Sequence, residues 1–517
     1  MKRTVLFVVD ALSEPIVREW LAESRLPAIA ELVARGGNVS PCTSIFPSIT
    51  PAATCSIATG EYPRQHGIEG ACWHNADAND TAYFGDDVAM ARQEGMHNYL
   101  VDFADQMNFK RLNAPLVYEH LFDAGIESAC VNFMWFRGPH VHSRSTPLSL
   151  RLTAGKLVSD VRGPKVLKLG DFVHSLPKEA EDVADMKTGL LGRYGFHDQT
   201  TAACMISMAR TDTLPAFSLA YFPLNDDHGH KNGLHAAASQ CVESFDEFLG
   251  QFVEALGGWH VIDKDYSLLI VGDHGQTEWA DTTPDVVELD QLLADFKIAE
   301  TVSGFKEGDE LLICPNMRAA AIYRSRECGA TIDDIASKLL EHRAIDQAIY
   351  LEKRTDNLQI LTVRTRDRGR LAFTRNGELS SEYQVLASDC YGNRWSLFGE
   401  LSALDLNVGN DGKLVEGDYP NALERIEGAF TAGPSPIWLT AKPNAEFAIG
   451  PSSTHSSGSH GALHRKDSIA ALITTHDVDL TQLLVPSHPR ITDVMDLCLK
   501  SLGANRRGLG VQAASVK

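Results

Sequence analysis

Apolar runs that end in polar loops recur along the chain, and they predict buried strands. Each run is four to seven residues long and is nearly continuous in apolar residues, rather than alternating with polar ones. This pattern is typical of strands that are covered on both faces, as in a parallel sheet. The runs are Val5–Val9, Ala216–Phe222, Leu268–Val271 and Ile469–Ile473.

Helical segments lie between these predicted strands. Their apolar residues recur three and four positions apart, which places them on one face of a helix. Strands that alternate with helices predict an α/β fold: a three-layer sandwich with a central, mostly parallel sheet. The main predicted helices are Glu14–Leu21, Leu26–Ala34, Ala52–Ala58, Pro115–Ala124, Gln199–Arg210, Thr331–Leu340 and Thr492–Leu502.

The pattern changes between residues 295 and 445. Strands are predicted at Ala319–Tyr323, Asn357–Arg364 and Arg370–Thr374, and the rest, to about Pro443, is loop-rich with a turn at Gly409–Gly412. We therefore predict a core of residues 1–294 and 446–504, an inserted α+β cap of residues 295–445, and a flexible tail of residues 505–517.

Asp and His residues cluster where the apolar runs end. Asp10 follows the first run, Asp226 and His230 lie in a polar loop after the second, and Asp273–His274 follow the third. A Gly-rich loop, residues 450–467, precedes the fourth run and contains His460. Strand ends in an open α/β sheet converge on one crevice, and carboxylate and imidazole groups are ligands of divalent metals. One such loop arises easily by chance, whereas four do not.

The spacing of these motifs resembles the alkaline phosphatase superfamily, and within it the type I phosphodiesterase/nucleotide pyrophosphatase family. Tyr221–Gly233 fits the family pattern Y-x-x-x-P-D-x-x-G-H-x-x-G, except that Asn225 replaces Pro. The D-H-G element matches residues 273–275, and the late G-x-H-G matches residues 458–461. The segment F-P-x-x-T matches Phe46–Thr50, and the T-G-x-Y-P-x-x-H-G-I run matches Thr59–Ile68.

The resemblance implies a binuclear phosphohydrolase with a threonine nucleophile. By the family pattern, Thr50 forms a phospho-threonine intermediate and one metal coordinates it. That resemblance assigns Asp226, His230 and His460 to one metal, and Asp10, Asp273 and His274 to the other. Two divalent ions are implied, zinc because the ligands mix Asp and His, with manganese as an alternative.

Several neighbouring residues are alternatives for these roles. Ser48 and Thr54 are rival hydroxyls, and Thr50 has the simpler interpretation of a helix N-cap before Pro51. Asp227 competes with Asp226, although the spacing to His230 favours Asp226. The nearby histidines His228, His455 and His464 are expected to be supporting or solvated, and His66 to be a packing residue.

Two departures from the family pattern bear on the substrate. Ala71 stands where diesterases of the family have an Asn that helps to hold a phosphate oxygen, and Pro51 stands where they have an aromatic residue that stacks on a base. The expected reaction is cleavage of a phosphodiester or nucleotide pyrophosphate. Phosphomonoester and phosphonate C–P hydrolysis are alternatives, and so is a protein that binds metal and phosphoryl ligands with little catalysis. A sulfatase is not expected, because the segment that begins at Cys42 lacks C/S-x-P-x-R.

Composition narrows the partners. The formal net charge is −21 and no block of Lys and Arg occurs, which disfavours a nucleic acid polymer and leaves a small phosphate ester or phosphonate as the expected substrate. No stretch approaches the length of a membrane span. The 10 cysteines include no C-x-x-C pair, which favours reduced thiols and a cytoplasmic enzyme. The apolar run before Asp10 is too short for a signal peptide.

Overall fold

The strand Arg3–Val9 lies at the centre of the main sheet in a computed structural model that describes residues 2–76, 78–84, 102–145, 160–180, 189–280, 283–355, 358–376, 384–450, 452 and 454–506. Among these residues the central sheet has eight strands. In spatial order they are Asn38–Thr43, Ile469–Thr474, Tyr266–Val271, Arg3–Val9, Phe217–Phe222, Ser128–Val131, Val166–Leu169 and Val173–Ser175.

The middle of this sheet is parallel. Arg3–Val9 pairs in parallel with both Phe217–Phe222 and Tyr266–Val271, and the parallel order continues through Ser128–Val131 to Val166–Leu169. The strand Ile469–Thr474 runs antiparallel to its neighbours. Its amino-terminal end therefore lies at the edge where the parallel strands have their carboxyl ends.

Both faces of the central strand are buried, which explains its continuous apolar run. Val5, Phe7 and Val9 pack in the core on one face, whereas Leu6 and Val8 pack in the core on the other. On the first face, the Phe7 ring contacts three phenylalanine rings of the helix Leu234–Ala255 at centroid distances of 5.4–5.8 Å. The predicted three-layer α/β sandwich is confirmed.

Each predicted helix is present to within a few residues, but further helices were not predicted, among them the longest, Leu234–Ala255. The α-helices among the described residues are Glu14–Ala22, Pro27–Ala34, Thr50–Thr59, Pro63–His66, Val117–Asp123, Asp198–Arg210, Leu224–Asn232, Leu234–Ala255, Trp259–Asp265, Leu289–Leu292, Ile332–Leu339, Ala422–Ala429, Arg465–Ser468 and Val494–Ser501. None of the helices in the described ranges is long and apolar enough to span a bilayer.

The insertion contains a second sheet in which every pairing is antiparallel. Within the described residues it too has eight strands. In spatial order these are Leu311–Asn316, Ala319–Arg324, Ile437–Ala441, Ile345–Thr355, Leu358–Arg364, Arg370–Arg375, Arg394–Gly399 and Val385–Ser388. We call it the inserted sheet.

The insertion is more regular than its sequence indicates. The part expected to be loop-rich holds the strands Leu311–Asn316 and Ile345–Thr355, which the prediction missed, as well as four short strands after residue 384, the helix Ala422–Ala429 and the buried strand Ile437–Ala441. Such strands of three to six residues carry too short a pattern to be recognised alone. The turn at Gly409–Gly412 is confirmed, since it joins the strands Leu406–Val408 and Leu414–Glu416. Of the predicted positions, Asn357 and residues 507–517 of the tail lie outside the described residues.

Candidate metal centre and nucleophile

The Asp and His residues named by the motifs meet at the carboxyl edge of the central sheet. Asp10 follows the central strand, and Asp273 follows its neighbour Tyr266–Val271. His460 reaches the same edge because the strand after it, Ile469–Thr474, runs in the opposite direction. Loops distant in sequence thus build one site.

The first group consists of Asp226, His230 and His460. His230 Nε2 lies 3.2 Å from Asp226 Oδ2, and His460 Nε2 lies 3.4 Å from Asp226 Oδ1. One ligand atom from each residue lies within 4.8 Å of those of the other two. Both imidazoles are buried. Three donor atoms of mixed carboxylate and imidazole type thus converge, as a divalent ion requires.

Asp226 and His230 lie on a helix, which corrects the expectation of a polar loop. The helix Leu224–Asn232 begins directly after the strand Phe217–Phe222. Residues four apart lie on the same face of a helix, so this conformation turns both side chains toward His460. Gly229 lies in the same helix against Gln276, whose Oε1 would clash with a Cβ there. The Gln276 side chain would have to move to admit a larger residue.

The second group consists of Asp10, Asp273, His274 and Thr50. His274 Nε2 lies 3.5 Å from Asp10 Oδ1, 3.4 Å from Asp273 Oδ2 and 3.0 Å from Thr50 Oγ1. Thr50 Oγ1 is also 3.5 Å from Asp10 Oδ1. Thr50 is the first residue of the helix Thr50–Thr59, two residues earlier than the predicted start. It therefore lies inside the helix, and Ile49 occupies the N-cap position.

All three histidines of the two groups are oriented in the same way. Nδ1 of His230, His274 and His460 lies 2.8, 2.9 and 2.7 Å from the backbone oxygens of Gly458, Gly275 and Ser48, respectively. A carbonyl oxygen only accepts, so each Nδ1 carries the hydrogen and each Nε2 presents a lone pair. Histidines that bind metals characteristically show this arrangement.

The lone pairs of these histidines therefore face carboxylate oxygens, which also only accept. Nε2 of His460 and Oδ2 of Asp273 have no hydrogen-bond partner within the described part of the chain. Buried acceptors that face one another without a donor are unfavourable, and a cation between them removes the conflict. The donor set therefore fits divalent metal, with Asp and His ligands suited to zinc.

The electrostatics of the carboxylates also indicate a cation. Burial, together with the charges of Asp273 and Asp226, raises the pKa of Asp10 well above its usual value. Burial raises the pKa of Asp273 as well, although His274 opposes the shift. Burial acts on Asp226 in the same direction, but His230 and His460 outweigh it and lower the pKa of that carboxyl. Positive charge at this position would stabilise all three carboxylates.

Two residues that the motif search did not assign to the site hold Asp10 in place. Tyr221 donates its hydroxyl hydrogen to Asp10 Oδ2. Asn225 donates its side-chain amide to the backbone oxygens of Asp10 and Ala11, at 2.8 and 3.1 Å. Asn225 is the residue that departs from the family's Pro, so this departure connects the ligand helix to the end of the central strand.

The rival residues have other partners. Ser48 Oγ donates to the backbone of Ala462 at 2.9 Å, and Thr54 Oγ1 donates to the backbone of Thr50 at 2.6 Å. Asp227 forms ion pairs with Arg193 and Lys231, both at 2.7 Å.

His66 has a packing role, as expected, and the loop that begins at Phe136 is held by contacts of its own. His66 Nε2 lies 3.1 Å from Ser56 Oγ, and burial lowers the pKa of His66 to about 3. Arg137, in the loop Phe136–Arg144, bonds Glu119 and three backbone oxygens. Its guanidinium is therefore already engaged.

The inserted sheet contributes to the loop that carries His460. Arg318 is fully buried, its backbone N–H donates to the oxygen of His460 at 2.9 Å, and its guanidinium forms an ion pair with Asp467. Asp467 also accepts from the amide of Ala462 at 2.9 Å. Gly461 lies between His460 and Ala462 and has a φ of +118°. A Cβ at this position would be only 2.7 Å from a backbone oxygen of the inserted sheet. The inserted sheet therefore contacts the loop that carries His460 directly.

Asn316, which lies beside Ala71, does not replace the side-chain amide that the family pattern has at this position. Its backbone N–H donates to Asn316 Oδ1 at 2.7 Å, and Asn316 Nδ2 donates to the backbone of Cys72 and Cys314. Asn316 thus uses its whole amide to attach residues 71–72 to the inserted sheet.

Comparison with known families and structures agrees with this geometry. The model of the family described as type I phosphodiesterase / nucleotide pyrophosphatase matches residues 4–389. The match contains Asp10, Thr50, Asp226, His230 and Asp273–His274 but ends before His460, whose inclusion rests on the geometry. No curated protein matches the chain in a sequence search.

Solved structures resemble the chain over nearly its whole length. Phosphonoacetate hydrolase from Sinorhizobium meliloti 1021, in complex with phosphonoformate, is 15% identical with a TM-score of 0.54, and the match covers 96% of this chain and 95% of that one. Murine ectonucleotide pyrophosphatase / phosphodiesterase 5 is 13% identical with a TM-score of 0.54, covering 98% and 96%. Its human counterpart is 13% identical with a TM-score of 0.52 and the same coverage. At these identities the likeness shows the fold.

Proposed function

The chain belongs to the type I phosphodiesterase / nucleotide pyrophosphatase family of the alkaline phosphatase superfamily and is a phosphoric ester hydrolase, and from this premise we propose that it cleaves a phosphodiester or nucleotide pyrophosphate bond through a phospho-threonine intermediate on Thr50. The observation that carries the proposal is the position of Thr50 Oγ1, 3.0 Å from the Nε2 lone pair of His274 and beside the buried Asp10. Covalent catalysis needs an activated nucleophile, and a hydroxyl beside a carboxylate–imidazole cluster is in a position to be activated.

The proposed metal ligands form two groups around this hydroxyl. Asp226, His230 and His460 would hold one divalent ion, and Asp10, Asp273 and His274, with Thr50, would hold the other. Zinc is the proposed metal, and manganese is the alternative. Such ions supply positive charge that neutralises phosphoryl oxygens and activates an oxygen nucleophile.

The chain's own residues account for the two chemical steps. Thr50 Oγ1 loses its proton to solvent water and forms a bond to phosphorus while the bond from phosphorus to the leaving-group oxygen breaks, and the leaving-group oxygen departs with the electron pair and takes up a proton from water. Water then attacks the phospho-threonine, the Thr50 Oγ1–phosphorus bond breaks, and the hydroxyl is restored. Thr50 begins the helix Thr50–Thr59, so the unpaired amides and the dipole of its first turn favour the anionic phosphoryl group.

The proposed substrate is a small phosphate ester. Among the described residues, no Lys or Arg forms an ion pair with Asp10, Asp226 or Asp273. Metal ions would then neutralise the negative charge of the substrate. This arrangement suits a small ligand and not a nucleic acid polymer. An inactive variant of murine ectonucleotide pyrophosphatase / phosphodiesterase 5 has been solved in complex with AMP, so a nucleotide is a sensible probe. The cytoplasm stays the predicted compartment.

Phosphonate hydrolysis is the second candidate. The chain resembles phosphonoacetate hydrolase, which has been solved with phosphonoformate and with phosphonoacetate. Ala71 and Pro51 remove the amide and the aromatic ring that the family pattern gives to diesterases. A change of substrate class would account for both departures. A phosphomonoester would fit the same site, and binding without turnover is the remaining alternative.

The test is a substrate panel on metal-free protein reconstituted with Zn²⁺ or Mn²⁺. The panel contains a bis-aryl phosphodiester, an aryl ester of a nucleotide 5′-monophosphate, an aryl monophosphate and phosphonoacetate. Preference for either diester supports the proposal, and preference for the monophosphate or for phosphonoacetate replaces it with that activity. Metal binding without turnover of any of the four favours the binding-only alternative. Thr50→Ala, which should bind metal without turnover, is the control for contaminating hydrolases.

A further inference from the structure

Four imidazole rings of the site form one column, and the outermost ring has no role in the proposed metal centre. His274 stacks on His460 at a centroid distance of 3.7 Å, and His460 lies 5.1 Å from His230. His455 stacks on His230 at 4.0 Å, with 29° between the ring planes. The first three rings direct Nε2 at the carboxylates, whereas His455 does not.

Glu446 holds His455 by both of its carboxylate oxygens. Oε1 accepts from the backbone N–H of His455 at 2.7 Å, and Oε2 lies 2.9 Å from His455 Nδ1. Glu446 is buried in the strand Ala445–Ala448, with 1% of its surface exposed. A buried carboxylate is costly unless its oxygens are hydrogen-bonded. The two hydrogen bonds to His455 therefore offset the cost of burying Glu446, and Glu446 anchors His455.

The backbone on both sides of His455 is fixed to its surroundings. Trp279 Nε1 donates to the backbone oxygen of His455 at 3.0 Å. Ser457 donates its backbone N–H to the oxygen of His230 at 3.0 Å, and the oxygen of Gly458 accepts from His230 Nδ1. The segment 455–458 thus contacts His230 at its ring face, its Nδ1 and its backbone, while Asp226 faces Nε2.

We propose that His455, anchored by Glu446, is a positioning residue for His230, and that through His230 it sets the cation affinity of the Asp226–His230–His460 group. This inference rests on the proposed metal centre. A ligand held in its binding orientation before the ion arrives loses less freedom on binding, and outer partners of metal ligands are known to act in this way.

The two groups differ in how they are supported, which is why the effect should be confined to one. His274 is fully buried and follows Asp273 directly, in a loop fixed to the central sheet. His230 depends on the 455–458 segment, and the His455 side chain that covers it is 19% exposed. Loss of His455 would remove the ring packed against His230, a ligand of the first group, and would leave the contacts of His274 in the second group in place.

The experiment measures cation affinity rather than turnover. Metal-free protein is titrated with Zn²⁺ in competition with a chromophoric chelator, and with Co²⁺ while its visible spectrum is recorded. His230→Ala identifies which binding event belongs to the first group, because among the described residues His230 occurs in one of the two groups of converging ligand atoms, whereas Asp226 occurs in both. His455→Asn retains a hydrogen-bond donor for Glu446 but removes the ring. It therefore distinguishes the effect of ring stacking from the effect of the hydrogen bond to the buried carboxylate. Glu446→Gln retains the shape of the anchor and removes its charge.

We expect His455→Asn to weaken the first binding event by about 10–100-fold and to leave the second unchanged. Its Co²⁺ spectrum should change only in the bands that His230→Ala removes, and Glu446→Gln should weaken the same event by a smaller factor. His464→Asn is the matched control, because His464 belongs to the same loop but contacts Tyr419 and not His230. It should keep both affinities.

Two results would overturn the inference: unchanged affinities in His455→Asn, or an equal loss in both events accompanied by a lower melting temperature of the metal-free protein, which would indicate a structural role. The outcome is independent of the proposed reaction. Wild-type protein that binds two ions but hydrolyses nothing would contradict the proposed function and leave the inference standing.

Discussion

Thr50 Oγ1 lies 3.0 Å from Nε2 of His274, and the hydrogen on His274 is fixed at the opposite nitrogen by the backbone oxygen of Gly275. The hydroxyl is therefore next to a lone pair and not to a proton donor. The relationship gives Thr50 a chemical environment that its rivals Ser48 and Thr54, both bonded to backbone oxygens, do not have. Four predictions follow from this site and its supports.

Thr50→Ala should lower hydrolysis by at least about a thousandfold, because the residue proposed to form the covalent intermediate is removed. Metal content should stay at the wild-type value, since Asp10, Asp273 and His274 remain. Steady-state kinetics and metal analysis of the same preparation check this. Ser48→Ala is the matched variant and should keep activity within a few-fold; the reverse ranking would assign the nucleophile to Ser48.

Removal of divalent metal should abolish activity and lower the melting temperature, because the carboxylates of Asp10, Asp226 and Asp273 then lie together without a cation. Ligand linkage predicts a stabilisation of about 2.7 kcal/mol when the free metal is at 100 times its Kd. Calorimetry of chelated and reconstituted protein measures it. Asp10→Asn should make the metal-free protein more stable at pH 8 and should shrink the stabilisation by metal. A metal-independent melting temperature in the wild type would contradict the proposed centre.

Arg318→Met should destabilise the fold by about 3–5 kcal/mol, because it leaves the fully buried Asp467 without its ion-pair partner. Metal affinity should fall as well, since Arg318 and Asp467 hold the segment around His460. Denaturant unfolding and metal titration check the two effects. The double variant Arg318→Met with Asp467→Asn should recover much of the stability, because no buried charge is left; full additivity of the two single changes would contradict the pairing.

The unfolding free energy should depend on pH through Glu69. Burial raises the pKa of Glu69 to about 7, although hydrogen bonds from Thr431 and Tyr323 oppose the shift. The folded pKa exceeds the usual value of 4.5, so the contribution is fully present below pH 4.5 and is lost as the pH rises through 7. The loss is roughly 3 kcal/mol.

The check is the difference in unfolding free energy between wild type and Glu69→Gln, followed from pH 4 to pH 9 by denaturant titration. The wild type should lose stability relative to the variant between pH 4.5 and 7, and the difference should then level off. The exposed Glu254→Gln is the control and should follow the wild type. Parallel curves for Glu69→Gln and wild type would rule out a buried titrating carboxylate at this position.

The sequence by itself determined the architecture of the core and the set of groups that gather at its edge. Continuous apolar runs such as Val5–Val9 are long enough to predict strands buried on both faces. The apolar residues of the predicted helices recur at helical spacing. Asp10 and Asp273 follow two such runs directly, so their meeting follows from the rule that parallel strands end at one edge. The local sequence pattern was sufficient for elements whose burial shows directly in the residue types on their two faces.

Tertiary structure decided what depends on partners distant in sequence. The segment after Phe222 has too polar a pattern to indicate a helix, yet it becomes one because Asn225 bonds the end of the central strand and Gly229 fits against Gln276. The short strand Ile437–Ala441 is stabilised by pairing with Ala319–Arg324 and Ile345–Thr355, which no local window contains. Arg318 and Glu446 acquire their roles at the site only because folding buries their charges beside Asp467 and His455, and a buried charge requires its partner.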